Sequence, residues 1–411
     1  MQAGPAHQAR ARLRGPLASR NFRLLAACDI ISAAGTAVAV VALPFAVLTI
    51  GGSATDVGLV ATAQLVPLVA FLLLGGVVAD RLPRHQVIAW ANVFQAAARG
   101  SSAALLLTGH ATVWQLVALA AAGGIGLGFY YPAARGLLPQ TVPADQRQQA
   151  NAIDRTGQNT ATIIGTALGG LLTGLAGPGW GLAIDAASFA IAAALRTGMR
   201  FPAQPLAQAA GMLHALRDGW HEFISHRWLW VNVAQFAFIV AVSAATAGVL
   251  GPLVAHSRLG GARSWGFILA AYGAGAVIGG LIMLRYQPQR MLLAAVASVP
   301  AFSLLLFALA VPLTVPLDMT AAFLAGGSVE VFAVGWATTL QQEIPPAKLS
   351  RVSSYDALGN YALAPVGTAI AGPLAASYGP AIVLTVGGVL LILLPACVLL
   401  LPQVRQLHRQ P

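Results

Sequence analysis

The sequence predicts an all-α integral membrane protein with twelve transmembrane helices in two pseudo-symmetric six-helix bundles. Of its 411 residues, 57% are hydrophobic and only 9% are charged, which is more apolar surface than one water-soluble core can bury. We count twelve apolar runs of about 20 residues, the length that crosses a bilayer as a helix. The two halves of the chain also repeat each other in sequence.

The apolar runs set the domain organisation. They lie at 22–48, 57–79, 87–108, 112–132, 153–175, 180–199, 229–253, 265–284, 291–311, 317–340, 359–377 and 381–402. The longest connection separates six runs from six. We therefore expect an N-tail at 1–21, a first bundle at 22–199, a linker at 200–228, a second bundle at 229–402 and a C-tail at 403–411.

The second part of the linker, GMLHALRDGWHEFISHRW, has apolar residues at helical spacing. Leu213, Leu216, Trp220 and Phe223 would share one face, which predicts an amphipathic helix on the cytoplasmic membrane surface. A simple tether is the alternative.

The positive charges indicate the topology. The net charge of +11 is spread in short clusters between apolar runs, a pattern that does not favour nucleic-acid binding. With the N-terminus inside, nearly all loop Arg and Lys residues are cytoplasmic, and Arg196 counts among them. Only Arg258 and Arg263 lie in outer loops. This bias predicts a multi-pass protein of the cell (inner or plasma) membrane, embedded in its lipid bilayer, with both termini cytoplasmic.

An internal repeat relates the halves. A shift of 202 residues aligns QTVPADQRQQANAIDRTGQNTATIIGTALGG with QEIPPAKLSRVSSYDALGNYALAPVGTAIAG, matching Asp154 to Asp356 and Gly165 to Gly367. Parallel six-helix repeats predict two bundles with a central cavity, an architecture typical of transporters.

The stretch GGVVADRLPRHQVI joins the end of the second run to the start of the third. By this stretch the chain resembles the major facilitator superfamily, and the resemblance covers the whole chain apart from the two tails. The family's signature of Gly, three residues, Asp-Arg and later basic residues is matched by Gly76, Asp80, Arg81 and Arg84, although Pro83 replaces the family's Gly. The segments TVPADQRQQANAID and LSRVSSYDALGNYALAPVGTAIAGPLA are similar to the bacterial exporter subgroup that includes enterobactin and macrolide exporters.

The resemblance implies a cytoplasmic gate. Asp80 would approach the start of the eleventh helix near Ser353 and Ser354, and Arg81 would pair with Asp356. In the counterpart of this loop in the second half of the chain, Arg285 would pair with Asp154. The expected gate residues are thus Gly76, Asp80, Arg81, Arg84, Asp356, Arg285 and Asp154.

The fifth helix carries part of the family's antiporter motif. Gly165, Gly169 and Gly170 match its glycines, but the motif's Pro is replaced by Thr166. Small residues at this spacing favour close helix packing.

Two embedded carboxylates are candidates for proton coupling. A charge inside the bilayer is costly, so each such residue indicates a function or a partner. Asp29 and Glu330 lie on the first and tenth helices, which the resemblance places around the central cavity. The alternative for Asp29 is a hydrogen bond to backbone or to Ser32.

Arg99 and Asp185 lie at similar depths in the third and sixth helices, so we expect a structural ion pair. In the rival interpretation, Arg99 forms a substrate-facing polar stripe with Asn92 and Gln95.

Polar and aromatic residues of the seventh, tenth and eleventh helices suit an amphipathic substrate, although each is also compatible with simple helix packing. This predicted substrate cavity comprises Asn232, Gln235, Phe236, Phe332, Trp336 and Tyr361.

These features predict a secondary active transporter that exports small amphipathic compounds, drugs or siderophore-like metabolites, by proton-coupled alternating access. An uptake carrier or uniporter for a metabolite and a non-transporting membrane sensor or scaffold are the alternatives. No enzymatic motif, cofactor motif or metal-ligand spacing is present in the sequence. We expect a monomer whose partners are the substrate, protons and lipid.

Overall fold

The structure is a computed structural model that describes residues 15–199, 201, 223–286, 288–344, 352, 356, 359, 362–402 and 404. It is helical throughout this part. Most of the predicted linker, including Leu213, Leu216 and Trp220, lies outside the described residues, as does Tyr361.

Long helices coincide with the predicted runs. In chain order they are α1 (Arg20–Thr49), α2 (Ala54–Arg81), α3 (Arg84–Leu107), α4 (Val113–Arg135), α5 (Arg147–Ala176), α6 (Pro178–Thr197), α7 (Arg227–Arg258), α8 (Ala262–Arg285), α9 (Met291–Ala310), α10 (Val315–Glu343), α11 (Ala364–Tyr378) and α12 (Pro380–Leu399). Within the described ranges, ten helices are long and apolar enough to cross a membrane, and the chain is a multi-pass membrane protein.

Two of these helices are irregular. A π-helical turn, Thr246–Leu250, interrupts α7 just before Pro252, whose missing N–H cannot continue the normal ladder. A 3₁₀ turn, Val299–Phe302, contains Pro300 in the middle of α9. Both irregularities therefore have a proline as their local cause.

The helices form two compact units. The first contains α1 up to Leu43, α2 from Ala63, and α3 to α6. The second contains Pro44–Thr62 and α7 to α12. The second unit thus includes Pro44–Thr62, which is the turn between α1 and α2 together with the adjoining ends of both helices.

Close contacts explain why this turn groups with the second unit. The hydroxyl oxygens of Thr62 and Thr368 are 2.9 Å apart. A Cβ on Gly58 would lie 2.9 Å from the Thr368 carbonyl oxygen, and one on Gly372 would lie 2.5 Å from the Ala54 carbonyl oxygen. Small side chains therefore let the start of α2 approach α11 at backbone distance.

The sequence repeat is reproduced as a repeated packing contact. In the first unit, a Cβ on Gly165 of α5 would clash with the carbonyl oxygen of Ala34 on α1. In the second unit, a Cβ on Gly367 of α11 would clash with the carbonyl oxygen of Ala241 on α7. The two glycines that the repeat aligns therefore allow the same close contact in both units, α5 on α1 and α11 on α7.

Candidate functional site

The embedded carboxylate of Asp29 is bound by two side chains of the first unit. Nη2 of Arg196 lies 2.5 Å from Oδ1 of Asp29, and the hydroxyl of Tyr130 donates to the same oxygen at 3.2 Å. The alternative interpretation of Asp29, a hydrogen bond to backbone or to Ser32, is therefore corrected, because its partners come from α6 and α4. Asp29 stays a candidate for proton coupling, now with a counter-charge beside it.

Arg196 was missed by the sequence analysis, which counted it as a cytoplasmic loop residue. The structure corrects this, because Arg196 is in the last turn of α6 and is only 1% exposed. Its Nε and Nη1 have no hydrogen-bond partner among the described residues. A carboxylate embedded at Asp29 requires a cation nearby. The sequence feature that could have identified Arg196 as this cation is its position at a helix end, from which a long Arg side chain can reach inwards.

Asp154, expected in the gate, is instead buried inside the first unit. It is 7% exposed, and Nε2 of Gln158 donates to its Oδ2 at 2.7 Å. Its Oδ1 has no partner in the part of the chain that the structure describes. α5 packs on α1 at this depth, because a Cβ on Gly157, about one turn after Asp154, would overlap the side chain of Ile30, the residue that follows Asp29. The position of Asp154 therefore favours a role within the buried network over one at a surface gate.

The predicted gate loop is a two-residue turn between α2 and α3. Pro83 is the N-cap of α3, and its carbonyl oxygen accepts the backbone N–H groups of Gln86 and Val87. Arg81 is exposed at the end of α2. A Cβ on Gly136 would coincide with the guanidinium of Arg84, so Arg84 packs flat on the backbone that follows α4.

Other predicted gate residues are placed as follows. Arg285 is exposed at the end of α8, and Gly76 faces open space. Oδ1 of Asp356 accepts a hydrogen bond from Nε1 of Trp336 at 3.1 Å. The Asp80 side chain, Ser353 and Ser354 lie outside the described parts, so the latch they would form stays a prediction.

Glu330, the second candidate for proton coupling, is half-buried on α10. Its Cγ lies 3.6 Å from the position of a Cβ on Gly280 of α8, and its charge interacts with Tyr272 of the same helix. The glycine leaves room for the carboxylate between α8 and α10.

Three of the predicted cavity residues form an aromatic ladder in the second unit. Phe236 of α7 stacks on Phe332 at 4.8 Å between ring centroids, and Phe332 is nearly parallel to Trp336 at 6.4 Å. Phe332 and Trp336 are 1% and 7% exposed, which favours the packing alternative for both. Phe236 is the partly exposed end of the ladder.

Asn232 and Gln235 lie on the same helix as Phe236 and are also buried. Nδ2 of Asn232 donates to the Trp228 carbonyl oxygen, whereas its Oδ1 and both amide atoms of Gln235 have no partner in the described ranges. Unsatisfied buried polar atoms are costly and therefore indicate polar groups that await a partner.

Arg99 and Asp185 lie close together, as the sequence led us to expect. Nε of Arg99 is 3.2 Å from Oδ2 of Asp185. Asn92 and Gln95, the other members of the rival polar stripe, are 0% and 1% exposed. All of these side chains face the interior of the first unit, which favours the structural pair over the substrate-facing stripe.

The glycine motif of α5 packs on α1. A Cβ on Gly165 or Gly169 would overlap the backbone of Ala34 or Val38, and Gly170 is buried. The missing motif Pro therefore does not prevent close helix packing. Among the described residues, no group of three His, Cys, Asp or Glu side chains is arranged to bind a metal ion.

The sequence matches a known family along nearly all of its length. The family model described as "Transmembrane secretion effector" matches residues 13–410. The multidrug efflux pump Tap of Mycolicibacterium fortuitum is 26% identical over 413 residues, which cover 96% of this chain and 97% of Tap.

Solved transporter structures are similar in fold. The nucleoside transporter NupG is 14% identical with a TM-score of 0.72, over 95% of this chain and 100% of that one. A POT family transporter in complex with 5-aminolevulinic acid is 11% identical with a TM-score of 0.74, over 94% of this chain and 97% of the other. At such low sequence identities, the similarity between this chain and the solved structures is a similarity of fold.

Proposed function

Because the chain belongs to the transmembrane secretion effector family and is therefore a secondary transporter of the major facilitator superfamily, we propose that it exports small amphipathic compounds in exchange for protons. The observation that carries the proposal is the full-length similarity to a multidrug efflux pump. We further propose the cell membrane as its location, with both termini in the cytoplasm, because the basic loops favour that orientation.

The second unit has groups that suit an amphipathic substrate. Phe236 is the accessible end of a stacked aromatic ladder, which offers flat apolar surface. On the same helix, Oδ1 of Asn232 and both amide atoms of Gln235 have no hydrogen-bond partner among the described residues. A substrate with an apolar body and one or two polar groups would bind to both features, whereas a purely polar metabolite would leave the aromatic surface unused.

Embedded carboxylates support the proton coupling. Asp29 and Glu330 lie well inside α1 and α10, and a carboxylate in a low-dielectric site can exist charged or protonated at a modest difference in free energy. Each conformational cycle would then carry protons inwards as substrate moves outwards.

The test is efflux of ethidium from cells of a host that lacks its own drug pumps. We expect the wild type to lower cellular ethidium, and a proton uncoupler to abolish this effect. Glu330→Gln and Asp29→Asn should lose uphill efflux at normal membrane expression. Glu343→Gln, the same change at the end of α10, is the matched control and should behave as wild type. Efflux that persists with the uncoupler would contradict the proposal.

A further inference from the structure

We propose that the driving proton binds to a largely buried triad in the first unit, in which Arg196 pairs in turn with Asp29 and Asp154. This inference rests on the proposed function and deepens it, since it identifies where one proton is bound. The three residues come from α1, α5 and α6, and Tyr130 of α4 completes the set.

In the structure, Arg196 binds the carboxylate of Asp29 and does not bind that of Asp154. Arg196 binds Asp29 through Nη2 alone, at 2.5 Å. Its Nε and Nη1 are buried without a hydrogen-bond partner among the described residues, and so is Oδ1 of Asp154. Because a guanidinium presents five donors, Arg196 has free donors for a second carboxylate.

The charge count provides the reason for a proton. Two carboxylates and one guanidinium sum to one negative charge. A net charge is expensive in a low-dielectric interior, and one proton makes the triad neutral. Tyr130 donates its hydroxyl hydrogen to Asp29 and adds no charge.

The other titratable neighbours do not remove this imbalance. Cys28 is buried and donates its thiol to the Ala192 carbonyl oxygen, and Tyr131 packs edge-on against Tyr130. Among the described residues, Arg155 and Arg20 are further cations near the triad, but both side chains are exposed and hence well screened.

An apolar layer separates the triad from the end of the unit where α1 begins. Phe22 and Leu25, about two turns and one turn before Asp29, are 0% and 2% exposed. Leu137 and Ile88 belong to the same buried cluster and are both 0% exposed. These side chains give the triad an apolar surrounding on this side, which keeps a net charge there costly.

The proposed step moves one proton and no other group. A proton from the outer aqueous phase binds to an Asp29 oxygen, and the attraction between Arg196 and Asp29 weakens. Arg196 then turns its free donors to Asp154, which alters the contact between α6 and α5. Release of the same proton to the cytoplasm restores the first pairing.

Asp154→Asn tests the triad because Asp29 and Arg196 alone are already neutral. In purified protein, we expect wild-type ethidium binding to weaken as the pH falls and to release about one proton per ethidium bound. In Asp154→Asn, the release of this proton should be lost, and any pH dependence that remains should be that of Glu330.

Asp145→Asn is the matched control, since Asp145 is exposed in the turn before α5. It should keep the wild-type proton release. If Asp154→Asn fails to elute as a single species, Asp154→Ser gives the same neutral triad with a smaller side chain.

Two failures are distinguishable. If wild-type efflux resists the uncoupler, the proposed function fails and the triad proposal fails with it. If wild-type efflux is uncoupler-sensitive and the neutral Asp154 variant still releases its proton, only the triad proposal is overturned.

Discussion

Arg99 of α3 and Asp185 of α6 form a buried ion pair, with 3.2 Å between Nε and Oδ2 and side chains that are 8% and 0% exposed. Gly35 of α1 lies directly over this pair, because a Cβ there would contact Oδ1 of Asp185 and overlap the Ser188 side chain. The pair therefore ties α3 to α6 beneath a third helix.

We expect Arg99→Ala and Asp185→Ala to lower the free energy of unfolding by about 3–5 kcal/mol, because each leaves the opposite charge buried and unpaired. Monodisperse protein remaining after heating in detergent measures this loss. The double variant Arg99→Met with Asp185→Leu removes both charges and should recover most of the stability. Single variants as heat-resistant as the wild type would exclude a structural pair.

Adjacent glycines of α2 should respond differently to the same substitution. A Cβ on Gly75 would overlap the Gly128 carbonyl oxygen of α4, whereas one on Gly76 would meet nothing within 4 Å. Overpacking a close helix contact costs about 1–3 kcal/mol. Gly75→Ala should therefore reduce heat resistance and Gly76→Ala should not. Equal behaviour of the two variants would show that α2 and α4 do not rely on this contact.

Hydropathy predicted the helices well because the bilayer requires long apolar runs. α3 is less apolar than the ten helices that are long and apolar enough to cross a membrane, because it carries Asn92, Gln95 and Arg99, and all three are buried within the first unit. The repeat was also readable, because matched glycines such as Gly165 and Gly367 serve matched helix contacts.

The pairing of Asp29 with Arg196 was not readable from the sequence. Arg196 stands beside the end of an apolar run, where loop and helix residues look alike, and its long side chain turns inwards. The pairing of Arg99 with Asp185, by contrast, could be predicted from their similar depth in the bilayer, because both residues lie well inside their apolar runs. Depth predicts partners near the middle of a span better than at its ends.

Phe236→Ala should alter substrate affinity more than folding. Phe236 is the partly exposed end of the ladder, and a stacked aromatic contact contributes about 0.5–1.5 kcal/mol beyond its area. We expect the KM for ethidium efflux to rise about two- to tenfold with normal expression. Phe332→Ala is the comparison, since the loss of a side chain that is 1% exposed should mainly destabilise the protein. An unchanged KM in Phe236→Ala would place the substrate elsewhere.

Gly136→Ala should reproduce the effect of Arg84→Ala if the position of the Arg84 guanidinium matters for the gate. Gly136 has a φ of −91°, which alanine adopts without strain, so the substitution acts only by displacing the guanidinium. A partly exposed charge contact contributes up to about 1 kcal/mol, so we expect an efflux rate about two- to fivefold lower in both variants. Membrane insertion should be unchanged, as measured by expression and by elution as a single species.

Because Arg84 is displaced in one variant and absent in the other, the double variant should be no slower than Arg84→Ala. An additive loss in the double variant would mean that Gly136 acts through the backbone after α4 and not through Arg84.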